Sequence, residues 1–360
     1  MKQTKFYKFH KSLGAKMVDF AGYEMPVQYS SIIAEHKAVR NSVGIFDVSH
    51  MGEIIVSGEK ALHFVQHITT NDASKLSPGG VQYSTMCYHD GGIVDDLLVY
   101  NLSENEYMLV INASNIEKDY KWMVENNELG ADIKNLSDEY SLLAVQGPAS
   151  DKVIEKLLES DIDLIYYHFK KDKIADVEII LSRTGYTGET GYELYFKGDE
   201  RDAEKLWNSI MEAGKEFEIQ PVGLAARDSL RLEMGFCLYG NDIDQTTNPI
   251  EAGLGWITKL NKEEFIGKEV LSNEKQEGTK RNLVALISDE KFFPRQGYEI
   301  KSNGNTIGSI TSGTVSPVLE KPIALGYVLS EFRTAGTKVN FIIRGKELHA
   351  EVTKLPFVKK

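Results

Sequence analysis

Cysteine is scarce in this sequence and long hydrophobic runs are missing, and each absence narrows the class of protein. Among 360 residues the cysteines are Cys87 and Cys237, too few for a disulfide framework and without the spacing of a zinc site. A reducing compartment fits them best, so we expect a cytoplasmic protein. No apolar stretch approaches the roughly 20 residues that span a membrane, and the basic segment 1–16 lacks the apolar core of a secretion signal. No membrane association is expected.

Basic residues are outnumbered by acidic ones. The chain has 41 Lys and Arg against 53 Asp and Glu, which gives a formal net charge of −12. A general nucleic-acid-binding protein needs a basic surface, so no nucleic-acid partner is expected, although a local basic pocket for an anionic ligand is compatible with the charge. Hydrophobic residues make up 42% of the chain, which is ordinary for a globular protein, and the length predicts two or three domains.

Two common kinds of binding motif are also missing. Gly185, Gly188 and Gly191 do not have the spacing of the dinucleotide-binding pattern, and no P-loop lysine follows them. Asp242 and Asp244 lie close together, but the surrounding sequence has no further spaced oxygen ligands for a cation. We therefore expect neither a nucleotide-phosphate site nor a metal ion.

An acidic pair in an apolar strand marks the segment with the strongest indication of chemistry. Residues 81–88 and 93–100 have the pattern of two strands, and the polar residues between them predict a hairpin turn. Asp95 and Asp96 interrupt the second strand. At least one of them should lie in a semi-buried site, where burial disfavours the charged form. The alternative is an edge strand with both aspartates in solvent.

The predicted hairpin gives the two aspartates different surroundings. Because successive side chains of a strand point to opposite faces, Asp96 shares a face with Tyr100, whereas Asp95 lies on the other face and should be structural. A four-residue turn would pair Tyr88 with Ile93, and that register brings a second tyrosine near Asp96.

Three further positions are candidates for a site. The glycines of the segment 184–193 predict a tight turn that delivers Glu193 from the start of the next strand; a solvated strand glutamate is the alternative. Arg227 and Arg231 share a face of a predicted helix, so they either bind a carboxylate together or form salt bridges with neighbouring acids. His50 is a candidate base, although a lone histidine is more often a structural hydrogen-bonding group.

The predicted elements change in type along the chain. Residues 1–271 mix helices and strands in two blocks of similar type, and the polar, lysine-rich residues 272–282 predict a linker. Short strands separated by Gly and Pro turns follow at 283–357, which predicts a small antiparallel barrel or sandwich. We predict an α+β protein divided at this linker.

Several short motifs occur in a fixed order, at residues 20–26, 44–52, 92–96, 146–148, 184–193, 226–233, 238–244, 311–313 and 316–317. Each is weak alone, but the ordered set closely resembles the aminomethyltransferase family of the glycine cleavage system, the T-proteins. The resemblance extends from about residue 4 to residue 357. Two details differ from the usual family pattern. Thr190 stands where an aspartate is usual, and the sequence of residues 356–360, Pro-Phe-Val-Lys-Lys, departs from the common one.

The resemblance implies a three-domain, cloverleaf-like fold, with two interleaved α+β domains in 1–271 and a C-terminal β-barrel at 283–357. It also implies tetrahydrofolate as the acceptor substrate, bound in a central opening, and the lipoylated H-protein as partner. H-protein would present an aminomethyl group on a dihydrolipoyl sulfur. The enzyme would then form 5,10-methylenetetrahydrofolate and release ammonia, with no metal.

The matched motifs further imply roles for individual residues. Asp96 corresponds to the catalytic acid beside the folate nitrogens, Glu193 to the residue that holds the pterin edge, and Arg227 to a cation near the glutamyl carboxylates. The other matched positions are expected to form the pocket wall: Met51, Tyr83, Tyr100, Val110, Asn112, Tyr186 and Trp256.

Two other functions share the implied fold. One is a folate-dependent demethylase, whose amine-oxidising relatives usually carry a flavin domain for which this length leaves no room. The other is a non-catalytic folate-binding maturation factor for iron–sulfur proteins, whose signature is Lys-Gly-Cys-aromatic-x-Gly-Gln. In residues 234–242 the cysteine is displaced, and the lysine and glutamine are missing.

Overall fold

The computed structural model describes residues 1–159 and 162–359, so Lys360, the last residue of the divergent C-terminal segment, lies outside the described residues. The chain forms two compact units, each assembled from separate stretches. Unit 1 consists of Met1–Val65, Ala73–Tyr83 and Leu97–Asp228, and unit 2 of Gln66–Asp72, Ser84–Asp96 and Ser229–Lys360. The inner part of the predicted hairpin therefore belongs to unit 2. The domain division predicted at residues 271 and 283 stays a prediction.

Eight helices occur in the part of the chain that the structure describes. In chain order they are α1 (Tyr7–Ser12), α2 (Ile32–Asn41), α3 (Ala61–Ile68), α4 (Ile116–Glu125), α5 (Ser150–Glu155), α6 (Glu200–Ala213), α7 (Leu224–Met234) and α8 (Lys268–Glu277). Short 3₁₀ turns occur at Ala73–Lys75, Ala113–Asn115, Lys215–Phe217 and Ser330–Phe332. Among the described residues, no helix has the length and apolar character needed to cross a membrane.

The strands fall into a mixed set and a C-terminal set. The first set is β1 (Lys16–Phe20), β2 (Tyr23–Gln28), β3 (Gly44–Asp47), β4 (Gly52–Ser57), β5 (Val81–Cys87), β6 (Ile93–Ser103), β7 (Glu106–Ile111), β8 (Asp132–Asn135), β9 (Tyr140–Gln146), β10 (Phe169–Ile174), β11 (Val177–Ser182), β12 (Gly191–Lys197) and β13 (Gln220–Pro221). The second set is β14 (Arg281–Ile287), β15 (Glu299–Ser302), β16 (Asn305–Val315), β17 (Pro322–Leu329), β18 (Lys338–Ile343) and β19 (Lys346–Thr353).

Unit 1 is built around a six-stranded sheet of order β10-β11-β12-β9-β3-β13. Its neighbouring strands are antiparallel except for β13, which pairs parallel with β3. One face packs on a core that includes Phe6, Val145, Leu194 and Trp207, and burial of such side chains contributes about 1.5–3 kcal/mol each. A second sheet has the order β5-β6-β7-β4-β8, and β1 and β2 form a separate hairpin.

Residue types that favour the start of a helix mark the true start in one of three places in unit 1. Ser31 caps α2 by accepting a 3.2 Å hydrogen bond from the backbone N of Ala34, and serine is among the residues that favour this position. Residues 114–117 have the sequence pattern of a capping box, but α4 begins at Ile116 and its N-cap residue, Asn115, makes no side-chain capping bond. Proline is common at the first position of a helix, but Pro221 lies in β13, three residues before α7 begins.

Unit 2 contains the predicted barrel. Its six strands close in the order β14-β17-β16-β15-β18-β19, around a core that includes Ile310, Val328 and Phe341. The barrel and the mixed α/β sheets confirm the α+β fold class. The predicted linker is wrong for most of its length, because residues up to Glu277 belong to α8, whose Leu271 is fully buried. Leu271 is the buried residue of this ten-residue helix, and the other side chains are mostly polar. The sequence of α8 therefore has the composition of a linker.

The turn between β5 and β6 differs from the predicted one by one residue. The backbone N of Gly91 donates to the Tyr88 carbonyl at 3.0 Å, and the N of Tyr88 donates to the Gly92 carbonyl at 2.8 Å. Tyr88 therefore pairs with Gly92 across the turn, and the predicted pairing of Tyr88 with Ile93 is wrong. Gly91 has a φ of +85°, a left-handed conformation that makes a three-residue turn possible.

Candidate functional site

Glu193 of β12 is a partly buried carboxylate held by two hydroxyl groups of unit 1. Thr184 Oγ1 donates to its Oε2 at 2.5 Å, and Tyr195 Oη donates to the same oxygen at 3.2 Å. Burial raises the pKa of Glu193, although the Thr184 bond, the Arg227 guanidinium and the Tyr195 bond act in the opposite direction. Among the described residues, no side chain or backbone N–H donates to Oε1, so this oxygen is available to a ligand.

A hydrogen-bonded tyrosine supports this arrangement from inside unit 1. Tyr100 is fully buried, and its hydroxyl donates to Ser182 Oγ at 3.1 Å and lies 3.0 Å from Tyr195 Oη. It also lies 3.2 Å from Thr184 Oγ1. Both hydroxyls that hold Glu193 therefore contact Tyr100. This predicted wall residue lies behind the carboxylate, where it fixes the two donors.

The glycines before Glu193 allow the loop to approach Gln146 closely, in agreement with the predicted tight turn. A Cβ at Gly185 would lie 2.0 Å from Oε1 of Gln146, and a Cβ at Gly191 would lie 2.4 Å from its Nε2. The Gln146 amide occupies this space, donating to the Thr184 carbonyl at 3.1 Å and accepting from Thr187 Oγ1 at 2.9 Å. The glutamine of the 146–148 motif is therefore the anchor of the loop.

Arg227, Tyr186 and Glu193 line one cleft in unit 1. The Arg227 guanidinium lies over the Tyr186 ring, 4.4 Å from its centroid, within the usual range of a cation–π contact. The complete lining comprises Phe46, Val48, Ala144, Gln146, Tyr186, Thr187, Glu193 and Arg227. The cleft combines a carboxylate, a cation and apolar walls.

Sequence reasoning missed the apolar side of this cleft. Phe46 lies in β3, and Val48 follows it within the 44–52 motif, but neither has a chemical group that stands out in sequence. Of the other predicted wall residues of unit 1, Met51, Tyr83 and Asn112 are partly exposed. Val110 is 4% exposed. Their contact with a ligand stays a prediction.

His50 is buried and uncharged at neutral pH. Burial lowers its pKa to about 4, and the Arg227 guanidinium acts in the same direction. Its Nδ1 has no hydrogen-bond partner within residues 1–159 and 162–359, and the Phe20 ring covers it edge-on at 5.3 Å between centroids. A histidine with so low a pKa is a poor general base at neutral pH.

Asp95 and Asp96 occupy different environments, as strand alternation predicts. Asp95 is fully buried, whereas Asp96, in the part of β6 that belongs to unit 2, is partly exposed. Asp96 lies close enough to Cys237 to influence its thiol: burial, Asp242 and Asp96 together raise the pKa of Cys237. Trp256, also in unit 2, is 63% exposed, and its place in a pocket wall stays a prediction.

Arg231 does not form a carboxylate site with Arg227. It is 1% exposed, and its guanidinium donates to Asp242 Oδ2 at 2.6 Å, Ser312 Oγ at 2.8 Å and the Phe236 carbonyl at 2.9 Å. The predicted paired-cation site is therefore wrong, because the Arg231 guanidinium is bound to Asp242. Its partner lies 11 residues away.

Titratable side chains are not clustered as metal ligands in the part of the chain that is described: no group of three or more His, Cys, Asp or Glu is placed to hold an ion. Asp242, one of the two acids considered for a cation, instead accepts from Arg231 and from Thr311 Oγ1, the latter at 2.6 Å.

These features define an α+β protein with an acid–cation cleft in one unit and a closed antiparallel barrel in the other. Residues 6–262 match the family described as GCVT N-terminal domain, and residues 281–359 match the glycine cleavage T-protein C-terminal barrel domain. The chain belongs to the glycine cleavage T-protein family, which confirms the resemblance found in the sequence motifs.

Individual relatives are similar over the full length. The aminomethyltransferase of Flavobacterium psychrophilum is 54% identical and aligns over 100% of both chains, and that of Halothermothrix orenii is 50% identical over 99% of this chain and 100% of the relative. Among solved structures, glycine cleavage system aminomethyltransferase T from Bartonella henselae matches with a TM-score of 0.92 at 35% identity, covering 99% of this chain and 98% of that one. The prediction of an enzyme is confirmed by this family of aminomethyltransferases.

Proposed function

We propose that the protein transfers the one-carbon unit of an aminomethyl group, carried on a dihydrolipoyl sulfur of H-protein, to tetrahydrofolate. The products are 5,10-methylenetetrahydrofolate, ammonia and the dihydrolipoyl thiol. The observation that best supports this function is the 54% identity to an aminomethyltransferase over the whole chain. Tetrahydrofolate is the acceptor substrate, and no metal takes part.

Glu193 and Arg227 bind the two ends of the acceptor in this proposal. A reduced pterin has neighbouring N–H donors that match a carboxylate, and Glu193 has Oε1 available while its Oε2 is held by Thr184 and Tyr195. The Arg227 guanidinium in the same cleft binds the glutamyl carboxylates. Stacking on Tyr186 keeps its planar donors oriented.

Asp96 is the proposed catalytic residue. The new bonds join the carbon to N5 and N10 of the folate, while its bonds to the amine nitrogen and to sulfur break. The folate loses two N–H protons, of which one goes to the departing amine and the other to the thiolate. A carboxylate can accept such a proton and stabilise the positive charge that develops on the carbon. Asp96 is partly exposed, as such contact requires.

The proposed setting is the cytoplasm, with lipoylated H-protein as the macromolecular partner and no nucleic acid or membrane. The net charge of −12 supports this setting, and so do the two buried cysteines, Cys87 and Cys237, neither of which forms a disulfide within the described residues.

The decisive experiment mixes the purified protein with H-protein that carries the aminomethyl arm. We expect rapid release of ammonia with equal formation of methylenetetrahydrofolate when tetrahydrofolate is present. A sample without tetrahydrofolate is the control for spontaneous decay. Turnover of an N-methylated amine with no reaction of the H-protein substrate would instead identify a demethylase, and folate binding without any turnover would identify a maturation factor.

A further inference from the structure

The first residue of β6 is bonded to a different segment of unit 2 through its backbone. The N of Ile93 donates to the carbonyls of Thr247, at 2.9 Å, and Asp244, at 3.2 Å, while its carbonyl accepts a 3.1 Å bond from Tyr239 Oη. Both backbone polar groups of this residue are therefore held by the segment 239–247. We call this segment the β6 seat.

The contact at the preceding residue leaves no space for a side chain. A Cβ added to Gly92 would lie 2.1 Å from the Gln245 carbonyl oxygen and 3.0 Å from its carbon. Backbone atoms cannot rotate away as a side chain could, so the close approach requires glycine. No left-handed φ is involved at Gly92, and an alanine there would act through steric displacement alone.

The β6 seat is in turn fixed to the barrel through Asp242. Its Oδ2 accepts from Arg231, and its Oδ1 accepts from Thr311 Oγ1 of β16 at 2.6 Å. Tyr327 Oη of β17 donates to the Asp242 carbonyl at 3.0 Å. Such a fully bonded buried network resists displacement, so the start of β6 is anchored to rigid barrel strands.

Asp96 lies three residues after Ile93 in the same strand, a distance of about 10 Å at about 3.3 Å per residue. A shift at Ile93 therefore moves the Asp96 carboxylate. Catalytic groups lose activity steeply when displaced by even about 1 Å.

We propose that Tyr239 and Gly92 are positioning residues that set the location of Asp96 by fixing the start of β6 on the seat. This inference rests on the proposed function for its activity measurements. Neither residue takes part in proton transfer. Their effect acts through Asp96, and it differs from general stabilisation because it should be lost when Asp96 no longer functions.

The test compares Tyr239→Phe and Gly92→Ala with Tyr298→Phe, a partly buried tyrosine of the same unit that packs against the barrel core. We expect kcat to fall by about 5- to 10-fold in Tyr239→Phe, the scale of one lost hydrogen bond, and by about 100-fold in Gly92→Ala. KM for tetrahydrofolate should stay within about twofold of wild type, and the control should retain wild-type kcat.

Each substitution is then repeated in an Asp96→Asn background and assayed by single turnover. If the residues act through Asp96, they cause no further loss there. An equal loss in both backgrounds overturns the proposal, and so does an unchanged kcat in Tyr239→Phe. The latter variant decides the question if Gly92→Ala does not fold.

Hydrogen exchange gives a result that does not depend on the proposed activity. Amides of residues 93–96 should exchange faster in Tyr239→Phe, while those of β17 keep their wild-type rates. Unchanged exchange at 93–96 overturns the positioning role even if the protein catalyses another reaction. A further outcome is that amides 93–96 exchange faster in Tyr239→Phe while the wild-type protein has no aminomethyltransferase activity. That result would contradict the proposed function but support the role of the β6 seat in fixing the start of β6.

Discussion

Thr184 and Glu193 are joined by a 2.5 Å hydrogen bond from Oγ1 to Oε2, although they lie at opposite ends of a glycine-rich loop. The bond directs one carboxylate oxygen inward and leaves the other to the cleft. Charge-assisted bonds of this kind are strong, so the orientation of Glu193 is set before a ligand arrives.

Glu193→Gln should weaken pterin binding by about 1–3 kcal/mol, because a charged hydrogen-bond partner is replaced by a neutral one that also presents an N–H donor. Titration calorimetry with folate and with a pterin that has no glutamyl tail measures this loss, which should be similar for both ligands. Glu178→Gln is the matched control, since Glu178 is an exposed strand residue whose side chain is 83% accessible. Unchanged affinity in Glu193→Gln would contradict the assigned role.

Arg227→Ala should act mainly through the glutamyl tail. We expect weaker binding of folate and almost no effect on the tail-less pterin, because the guanidinium pairs with carboxylates that only folate has. The matched control is Arg295→Ala, since Arg295 stacks on Phe293 in the barrel much as Arg227 stacks on Tyr186, at 5.4 Å from the ring centroid. Equal losses for both ligands would show that Arg227 contacts the pterin itself.

A buried pair in unit 1 should make stability depend on acid. Oδ2 of Asp47 lies 2.9 Å from Nε2 of His10 and accepts a 2.6 Å bond from Thr4 Oγ1. Burial acts to raise the pKa of Asp47, but the contacts with His10, Ser49 and Thr4 outweigh it and lower the pKa overall. The charged form is thus favoured in the folded state. The resulting stability is present above the unfolded pKa, about 3.9, and is lost as the pH falls through the lower folded pKa.

Asp47→Asn should therefore cost about 1.5–3 kcal/mol at pH 7, the scale for hydrogen bonds to a charged group, and the difference from wild type should shrink below about pH 4. Denaturant unfolding across this range measures it. Asp138→Asn is the control, because Asp138 bonds Lys2 at 2.6 Å but is 75% exposed, where such pairs contribute about 0–1 kcal/mol. A constant difference at all pH values would mean that the Asp47 charge is unimportant.

Patterns confined to a few neighbouring residues predicted much of the fold. Ser31 is a residue type that favours the start of a helix, as it does for α2, and the barrel strands within 283–357 followed from short strand patterns and glycine turns. The glycine-rich loop before Glu193 was also predicted, because closely spaced glycines are typical of tight turns. For the helix start and the barrel strands the determining interaction lies within one element or turn, whereas the loop also depends on Gln146 of β9.

The errors concern residues whose partners are distant in sequence. Arg231 looked like half of a cation pair with Arg227, but Ser312, which it contacts, lies 81 residues away. The turn after Tyr88 is one residue shorter than predicted because Gly91 adopts a left-handed conformation. Residues 89–92 are all common in turns, so their types alone do not show where the turn ends. The apolar cleft residues Phe46 and Val48 carry no chemical signature, so only the three-dimensional arrangement identifies them.

Asp96→Asn should reduce the rate of ammonia release by about 10²–10⁴-fold, the usual loss for a positioned acid–base group. Asparagine keeps the size of the side chain but removes the base and the negative charge beside a developing cation. Folate affinity should change much less, because Glu193 and Arg227 hold the ligand.

Asp95→Asn is the matched control, since Asp95 is the adjacent residue on the opposite face of β6 and is fully buried. It should lower the free energy of unfolding or have little effect, while the folded fraction turns over normally. Single-turnover ammonia release from the aminomethyl carrier, measured beside folate binding and thermal unfolding, separates the two. A folded but inactive Asp95→Asn together with a near-normal Asp96→Asn would assign the chemistry to Asp95. The partial exposure of Asp96 would then not identify the catalytic residue.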